Sequence, residues 1–261
     1  MKALQRKLVR DLWLARTQTA AIAAVIAAGV MVLVVSVTSL DAVRGSQQRF
    51  YQTHAFADLF VELTRAPLVL VDRVAAIEGV TRVEPRVRAP ARLDLPGFSG
   101  TVRAEVLSLP EGRSLSVNRL HLRSGQLPAS GRGDQVVVNE PFAAAHGLVP
   151  GDTVTLIIGG RRQTLSVSGV ALSPEFIYQA APGDILPDYQ RFAVLWMNGS
   201  ALARSVDLTG AFNSLALTLQ PGVDARRVET ALDALLDGYG GRGAYPRDDQ
   251  PSHAFVQQEV E

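Results

Sequence analysis

The sequence predicts an α+β protein: one N-terminal transmembrane helix, then a split βαβ-type extracytoplasmic domain with a β-rich inserted subdomain. Three observations predict it. A charge-free apolar run follows a basic head, two strand–helix–strand patterns stand at the two ends of the remaining chain, and the stretch between them is dense in strand and turn signals.

The apolar run comes first. Residues 17–40 hold no charged side chain and are dominated by Ala, Val, Ile and Leu. At about 1.5 Å per residue, such a helix covers a hydrocarbon core of about 30 Å. Gly29 is tolerated there because a helix in lipid keeps its backbone hydrogen bonds within itself. Ahead of the run, Lys2, Arg6, Lys7, Arg10 and Arg16 against Asp11 leave residues 1–16 at +4, in a chain whose total is only +1. The positive side of a membrane helix stays in the cytoplasm, so the chain after residue 41 is expected outside a bacterial inner membrane. A cleaved signal peptide has a similar head. Its apolar core is shorter, about 7–15 residues, and ends in a small-x-small site that is not clear here. Within the head, Leu4, Leu8, Leu12 and Ala15 share one helical face, and Lys2, Arg6 and Arg10 share another. This is either a basic amphipathic turn lying on the membrane, with Arg6, Arg10, Trp13 and Arg16 at the interface, or an ordinary positive flank.

Residues 41–54 are mixed and polar and read as a helical stalk. A short strand is expected at 58–62. Pro67 then opens a helix whose stripe is Leu70, Val74 and Ile77, ended by Gly79. Next, Val83, Val87, Ala89, Ala91, Leu93 and Leu95 alternate with Arg82, Glu84, Arg86, Arg88, Arg92 and Asp94, which predicts one long half-buried strand. Pro96-Gly97 turns it back into Val102, Ala104 and Val106. The same grammar returns near the end. Leu215, Leu217 and Leu219 alternate, Asp224 is an N-cap, Ala225, Val228, Leu232 and Leu235 form a helical stripe, and Gly238 stops it. Between these units, strands are expected at 135–138, 153–158 and 161–167, the last two joined by Gly159-Gly160, and a short helix at 141–146 closed by Gly147. The chain thus divides into a cytoplasmic segment (1–16), a transmembrane helix (17–40), a stalk (41–54), the first part of a core domain (55–113), the inserted subdomain (114–197) and the second part of the core (198–261).

Chemistry is sparse. The chain has no cysteine, which excludes disulfides and thiolate sites. His54, His121, His146 and His253 are scattered without metal-ligand spacing, and neither a P-loop nor a G-x-S-x-G elbow occurs. Arg132-Gly133-Asp134 reads as a turn, and Asn198-Gly199-Ser200 fits a glycosylation pattern that matters only in a eukaryotic secretory pathway. The arginines of the 82–94 strand are read as a solvated face, or as a basic strip beside anionic headgroups. No catalytic, cofactor-binding or metal-binding residue is assigned, no cofactor is expected, and the charge pattern does not suit nucleic acid.

The order of these elements resembles the first half of an ABC transporter permease of the FtsX/MacB/LolC type with its MacB-like periplasmic core domain. The passages that carry the likeness are Arg10-Asp11-Leu12-Trp13, Val136-Val137-Val138-Asn139-Glu140, His146-Gly147-Leu148-Val149-Pro150-Gly151-Asp152, Ala171-Leu172-Ser173-Pro174-Glu175, residues 192–197 and Gly210-Ala211-Phe212-Asn213. The resemblance implies a permease subunit that couples ATP hydrolysis to movement of a periplasmic domain. Its implied partners are a cytoplasmic ABC ATPase subunit, a second permease copy or half, the lipid bilayer, and a periplasmic protein or a substrate such as a lipoprotein, peptide or drug. Such permeases continue into further membrane helices, so this chain is expected to be part of a longer one. Two other readings stand beside it: a signalling module regulating a periplasmic partner such as a cell-wall hydrolase, and a single-pass anchored binding or assembly protein.

Overall fold

The computed structural model describes residues 7, 10, 16–179, 181, 184 and 186–260; of these, the side chains of residues 16, 19, 36, 37, 40, 41, 43, 44 and 256–260 are not described. Helix α1 runs over Arg16–Thr53, through both the apolar run and the expected stalk. Its residues up to Arg49 belong to one unit, and Phe50–Glu261 forms the other. Among the described residues of the first unit, Ile22, Val25, Ile26, Met31, Leu33 and Val35 are all more than half exposed. Among the described residues no helix is long and apolar enough to cross a membrane. The uninterrupted run of described side chains in this region is 20–35.

The second unit holds two sheets. Strands β1 (Leu59–Pro67), β2 (Val80–Arg86), β10 (Ala211–Leu219) and β11 (Ala244–Pro246) form an antiparallel sheet in the order β11-β1-β10-β2. Two helices cover one face: α2 (Leu70–Ala75) and α5 (Ala225–Leu236). Leu59, Val61, Leu70, Val74, Leu215, Leu217, Val228 and Leu232 share this core, so the two strand–helix–strand patterns make one layer pair although more than a hundred residues separate them in sequence. Asp224 caps α5 by accepting from the Arg226 N–H at 3.1 Å.

The strands between β2 and β10 build the other sheet: β3 (Arg88–Asp94), β4 (Val102–Leu109), β5 (His121–Gly125), β6 (Gln135–Asn139), β7 (Thr153–Ile158), β8 (Arg161–Leu172) and β9 (Phe192–Asn198). Its order is β5-β8-β6-β9-β4-β3-β7, and β7 pairs again with β8, so the sheet closes into a barrel. The closed ring is β8-β6-β9-β4-β3-β7, whose closure removes edges, while β5 pairs with β8 alone and keeps one edge open. The length of β8 makes it possible: residues 161–166 pair with β7, and residues from Ser166 onward pair with β6. Val106, Val138, Leu156, Leu165, Leu195 and Met197 fill the interior, with Phe142 of α3 (Glu140–His146) and Leu202 of α4 (Gly199–Ser205) as plugs. Gly159 and Gly160, at φ 54° and 73°, make the two-residue turn between β7 and β8.

The structure corrects several expectations. The long strand expected from 83 to 95 is two strands in different sheets. Val87 exchanges hydrogen bonds with Ser108, and the Asn213 side chain both accepts from the Arg88 N–H and donates to its carbonyl. These partners satisfy the backbone where it leaves one sheet for the other. Pro67 ends β1, paired with Ala211, and does not open a helix. At the end of α5, Gly240 takes the left-handed position expected of Gly238, and an added Cβ there would come within 2.4 Å of Thr64 Oγ1. Most of all, the polar side of the 82–94 segment is not simply solvated, since Glu84 and Arg86 are 1% and 5% exposed.

Candidate functional site: a charged seam between the sheets

The face of the four-stranded sheet opposite α2 and α5 is covered by the segment 113–118 and by the short turn Pro174–Phe176. A pleated strand with one apolar side must then place Glu84 and Arg86 in the interior, where an unpaired charge is very costly. Each is paired. The Arg86 guanidinium grips both Glu175 carboxylate oxygens and reaches Ser214 Oγ at 3.1 Å; its Nε finds no partner among the described residues. Glu175 also accepts from Asn118 Nδ2 at 2.7 Å, and its carbonyl accepts from Gln250 Nε2 at 2.8 Å. The turn that presents it is capped locally, by Ser173 Oγ accepting from the Glu175 N–H. Glu84 accepts from both Arg113 nitrogens, at 3.0 and 2.7 Å, and from the Ser116 N–H and hydroxyl, each at 2.7 Å.

Arg88 ties the sheets to each other. Its Nη1 donates to Glu62 of β1 at 2.8 Å, while Nε and Nη2 hold Glu105 of β4 in a two-point grip. Burial works against its charge, but Glu105, Glu175 and Glu62 outweigh it and hold its pKa above the ordinary arginine value. Such two-point, charge-assisted pairs fix orientation as well as distance. Beside them opens a cleft of about 640 Å³, with Glu62, Glu105, Glu175 and Asp184 on its walls together with Arg88 and Arg242. Tyr245 also lines it; burial, then Glu62 and Glu175, push its phenol up to about 12, so it stays a neutral hydroxyl. The arrangement can brace two lobes and hold polar or cationic groups.

The seam was missed in the sequence because Arg86 and Glu175 are 89 residues apart. The available signal was local: Ser173-Pro174-Glu175 is a side-chain-capped turn that aims a carboxylate. The histidines are less scattered than their numbering suggests. His54 and His121 rings meet at 5.2 Å, His253 Nδ1 lies 3.1 Å from the Tyr51 hydroxyl, and His146 Nε2 lies 2.9 Å from the Gln190 carbonyl. Among the described residues no group of His, Asp and Glu is placed to hold a metal ion. Asn198 is buried, and its amide donates to the Ala129 and Arg132 carbonyls, so it serves the loop. Arg132 and Asp134 pair across their own turn. Of the residues expected at a membrane interface, Arg6 and Trp13 lie outside the described residues, Arg10 is exposed, and Arg16 opens α1 with its side chain outside the described set.

Fold and seam define a class: a mixed α/β domain of two braced lobes. The chain belongs to the family of MacB-like periplasmic core domains, whose sequence model matches residues 19–235. This is the periplasmic domain of ABC transporter permeases of the FtsX/MacB type. In structure the chain is similar to the extracellular domain of the noncanonic ABC-type transporter YknZ from Gram-positive bacteria, at 12% identity and a TM-score of 0.47 over 72% of this chain and 98% of that one. It is similar to the periplasmic region of MacB from Actinobacillus actinomycetemcomitans at 13% identity and a TM-score of 0.47, over 80% and 95%. A domain of a putative permease protein from Porphyromonas gingivalis follows at 12% and 0.43, over 80% and 98%. The family assignment rests on the sequence match and not on these superpositions. None of the curated proteins matches the chain.

Proposed function

We propose that the chain is the N-terminal part of a permease subunit, anchored in a bacterial inner membrane by residues 17–40, with residues 1–16 in the cytoplasm and the two-sheet unit outside. In this reading Arg6, Arg10, Trp13 and Arg16 sit at the membrane interface, residues 41–54 are the stalk, and the external unit moves when a partner ABC ATPase binds and hydrolyses ATP. A second permease copy or half completes the assembly. The substrate is a periplasmic protein, lipoprotein, peptide or drug, and the chain itself performs no bond chemistry. One observation carries the reading: a single family match runs from Thr19, inside the apolar run, to residue 235 of the external unit. The exposed apolar side chains of α1 support it, because a helix that is apolar all round needs lipid or protein cover. The seam supports the mechanical part, because charge pairs buried between the lobes suit a lever that moves as one body.

The test is topological. A periplasm-dependent reporter fused after residue 261 should be active, and changing Arg6, Lys7, Arg10 and Arg16 to glutamate should reduce that activity. A reporter active only in the cytoplasm at the same fusion point defeats the proposal.

A further inference from the structure

A second cavity, of about 540 Å³, lies away from the seam and differs from it in chemistry. The seam cleft has four carboxylates on its walls; among the described residues lining this cavity there are none. Its floor is aliphatic: Leu109 and Leu115 are buried, and Leu120 and Leu127 pack on the same cluster. Its polar side carries His54, Arg113 and Arg119. Arg113 is committed to Glu84, but no carboxylate pairs with Arg119 among the described residues. His54 stands between Arg119, whose N–H donates to its carbonyl at 2.7 Å, and the His121 ring. Burial first, and then His121, hold the His54 imidazole below its ordinary pKa. One permanent positive charge with no carboxylate partner among the described residues, beside an imidazole and set against a leucine wall, is the complement of a particular kind of molecule. Cavities of about 300–1,000 Å³ with an apolar lining and a few convergent polar groups are ordinary ligand sites.

We infer that this cavity binds an anionic amphiphile: a phosphate or carboxylate head held by Arg119 and His54, with an aliphatic chain against Leu109, Leu115, Leu120 and Leu127. Arg119 supplies the permanent charge. His54 supplies a ring N–H and gains a proton as the anion arrives, since a neighbouring negative charge favours its charged form. The leucine wall contributes by removing aliphatic surface from water, which a bare inorganic anion cannot exploit. The site stands independently of the transporter reading.

The test uses the full chain in phosphatidylcholine nanodiscs. The chain has two tryptophans, so Trp13→Phe leaves Trp196 as the sole emitter, and Trp196 belongs to the same apolar cluster as the cavity floor. Decyl phosphate should change its emission saturably, and Arg119→Gln should weaken the apparent affinity about tenfold, as loss of a charged hydrogen bond does. Arg119 is exposed, so that variant should keep its far-ultraviolet spectrum. Decyltrimethylammonium and inorganic phosphate should give no comparable response. Discs containing phosphatidylglycerol separate two sources of the same chemistry: a bilayer lipid in the cavity would shift the emission before any addition and compete with decyl phosphate, whereas a soluble occupant would leave the titration unchanged. The inference is overturned if decyl phosphate gives no saturable response. Equal binding of the ammonium amphiphile or of phosphate alone, or unchanged affinity in Arg119→Gln, overturns it as well.

Discussion

Arg86 and Glu175 pose the energetic question most sharply, because both side chains lie almost wholly out of water, at 5% and 3% exposure. A buried ion pair adds little net stability over an apolar pair of the same shape, yet breaking one by removing a single partner costs about 3–5 kcal/mol. Glu175→Ala should therefore destabilise the external unit by about that much in urea titrations. The double change Arg86→Met with Glu175→Leu should recover most of the loss. Equal instability in both variants would mean that Glu175 matters through its other side-chain contact, with Asn118. The histidines give a second, pH-dependent outcome. Burial is the main cause holding both His54 and His253 below the ordinary value of 6.5; His121 adds to it at His54, where the Arg119 backbone hydrogen bond opposes it, while Asp248 opposes and Arg247 assists at His253. A lowered histidine pKa means that the unfolded chain takes up protons first. The stabilisation is complete above about pH 6.5 and is lost as pH falls through the folded values. Melting temperature should thus fall between pH 7.5 and 5.5, and His54→Gln with His253→Gln should flatten that slope.

Among the elements, those legible in sequence are the ones whose signal is local. The turn at Gly159-Gly160 announces itself by composition, Asp224 caps α5 as its position suggests, and α1 follows from an unbroken apolar run. Residues 83–95 show the limit of such signals. The alternation is real on both sides of Val87, but period two says nothing about which sheet a strand joins. The groups that divide it, Ser108 and Asn213, are distant in sequence. For the same reason Glu84 and Arg86 look solvated until the segment 113–118 and the 174–176 turn are laid over them. Barrel closure depends on β8 pairing with β7 by its first half and with β6 by its second, which no local pattern encodes. What does follow from sequence is that the two flanking units need each other, since neither has enough sheet alone. Leu232 is fully buried in the core they share. Leu232→Ala should cost about 2–5 kcal/mol, and hydrogen exchange should speed up in β1 as well as in α5. Faster exchange confined to α5 would mean that the units are independent.

At the scale of the whole molecule, the proposed function is that of a lever. In that reading lipid covers the exposed apolar side chains of α1, while the seam braces the two sheets into one body and the family match runs through helix and external unit in a single stretch. If motion travels through the stalk, a flexible Gly-Ser insertion near Gly45 should disconnect the external unit while both parts stay folded. ATP hydrolysis by the partner should largely survive it, and replacing all four histidines with alanine should leave coupling intact. These 261 residues hold no cysteine, so one introduced here gives one label in this part of the chain once any cysteines elsewhere in the permease and its ATPase are replaced. Val149, 56% exposed on the loop between α3 and β7, is a suitable position. With Val149→Cys spin-labelled in both permease copies of the complete transporter and its ATPase, the distance between labels should differ between the nucleotide-free and ATP-trapped states. The stalk insertion should abolish that difference. An identical distance distribution in the two states, in a transporter that still hydrolyses ATP, would contradict the account.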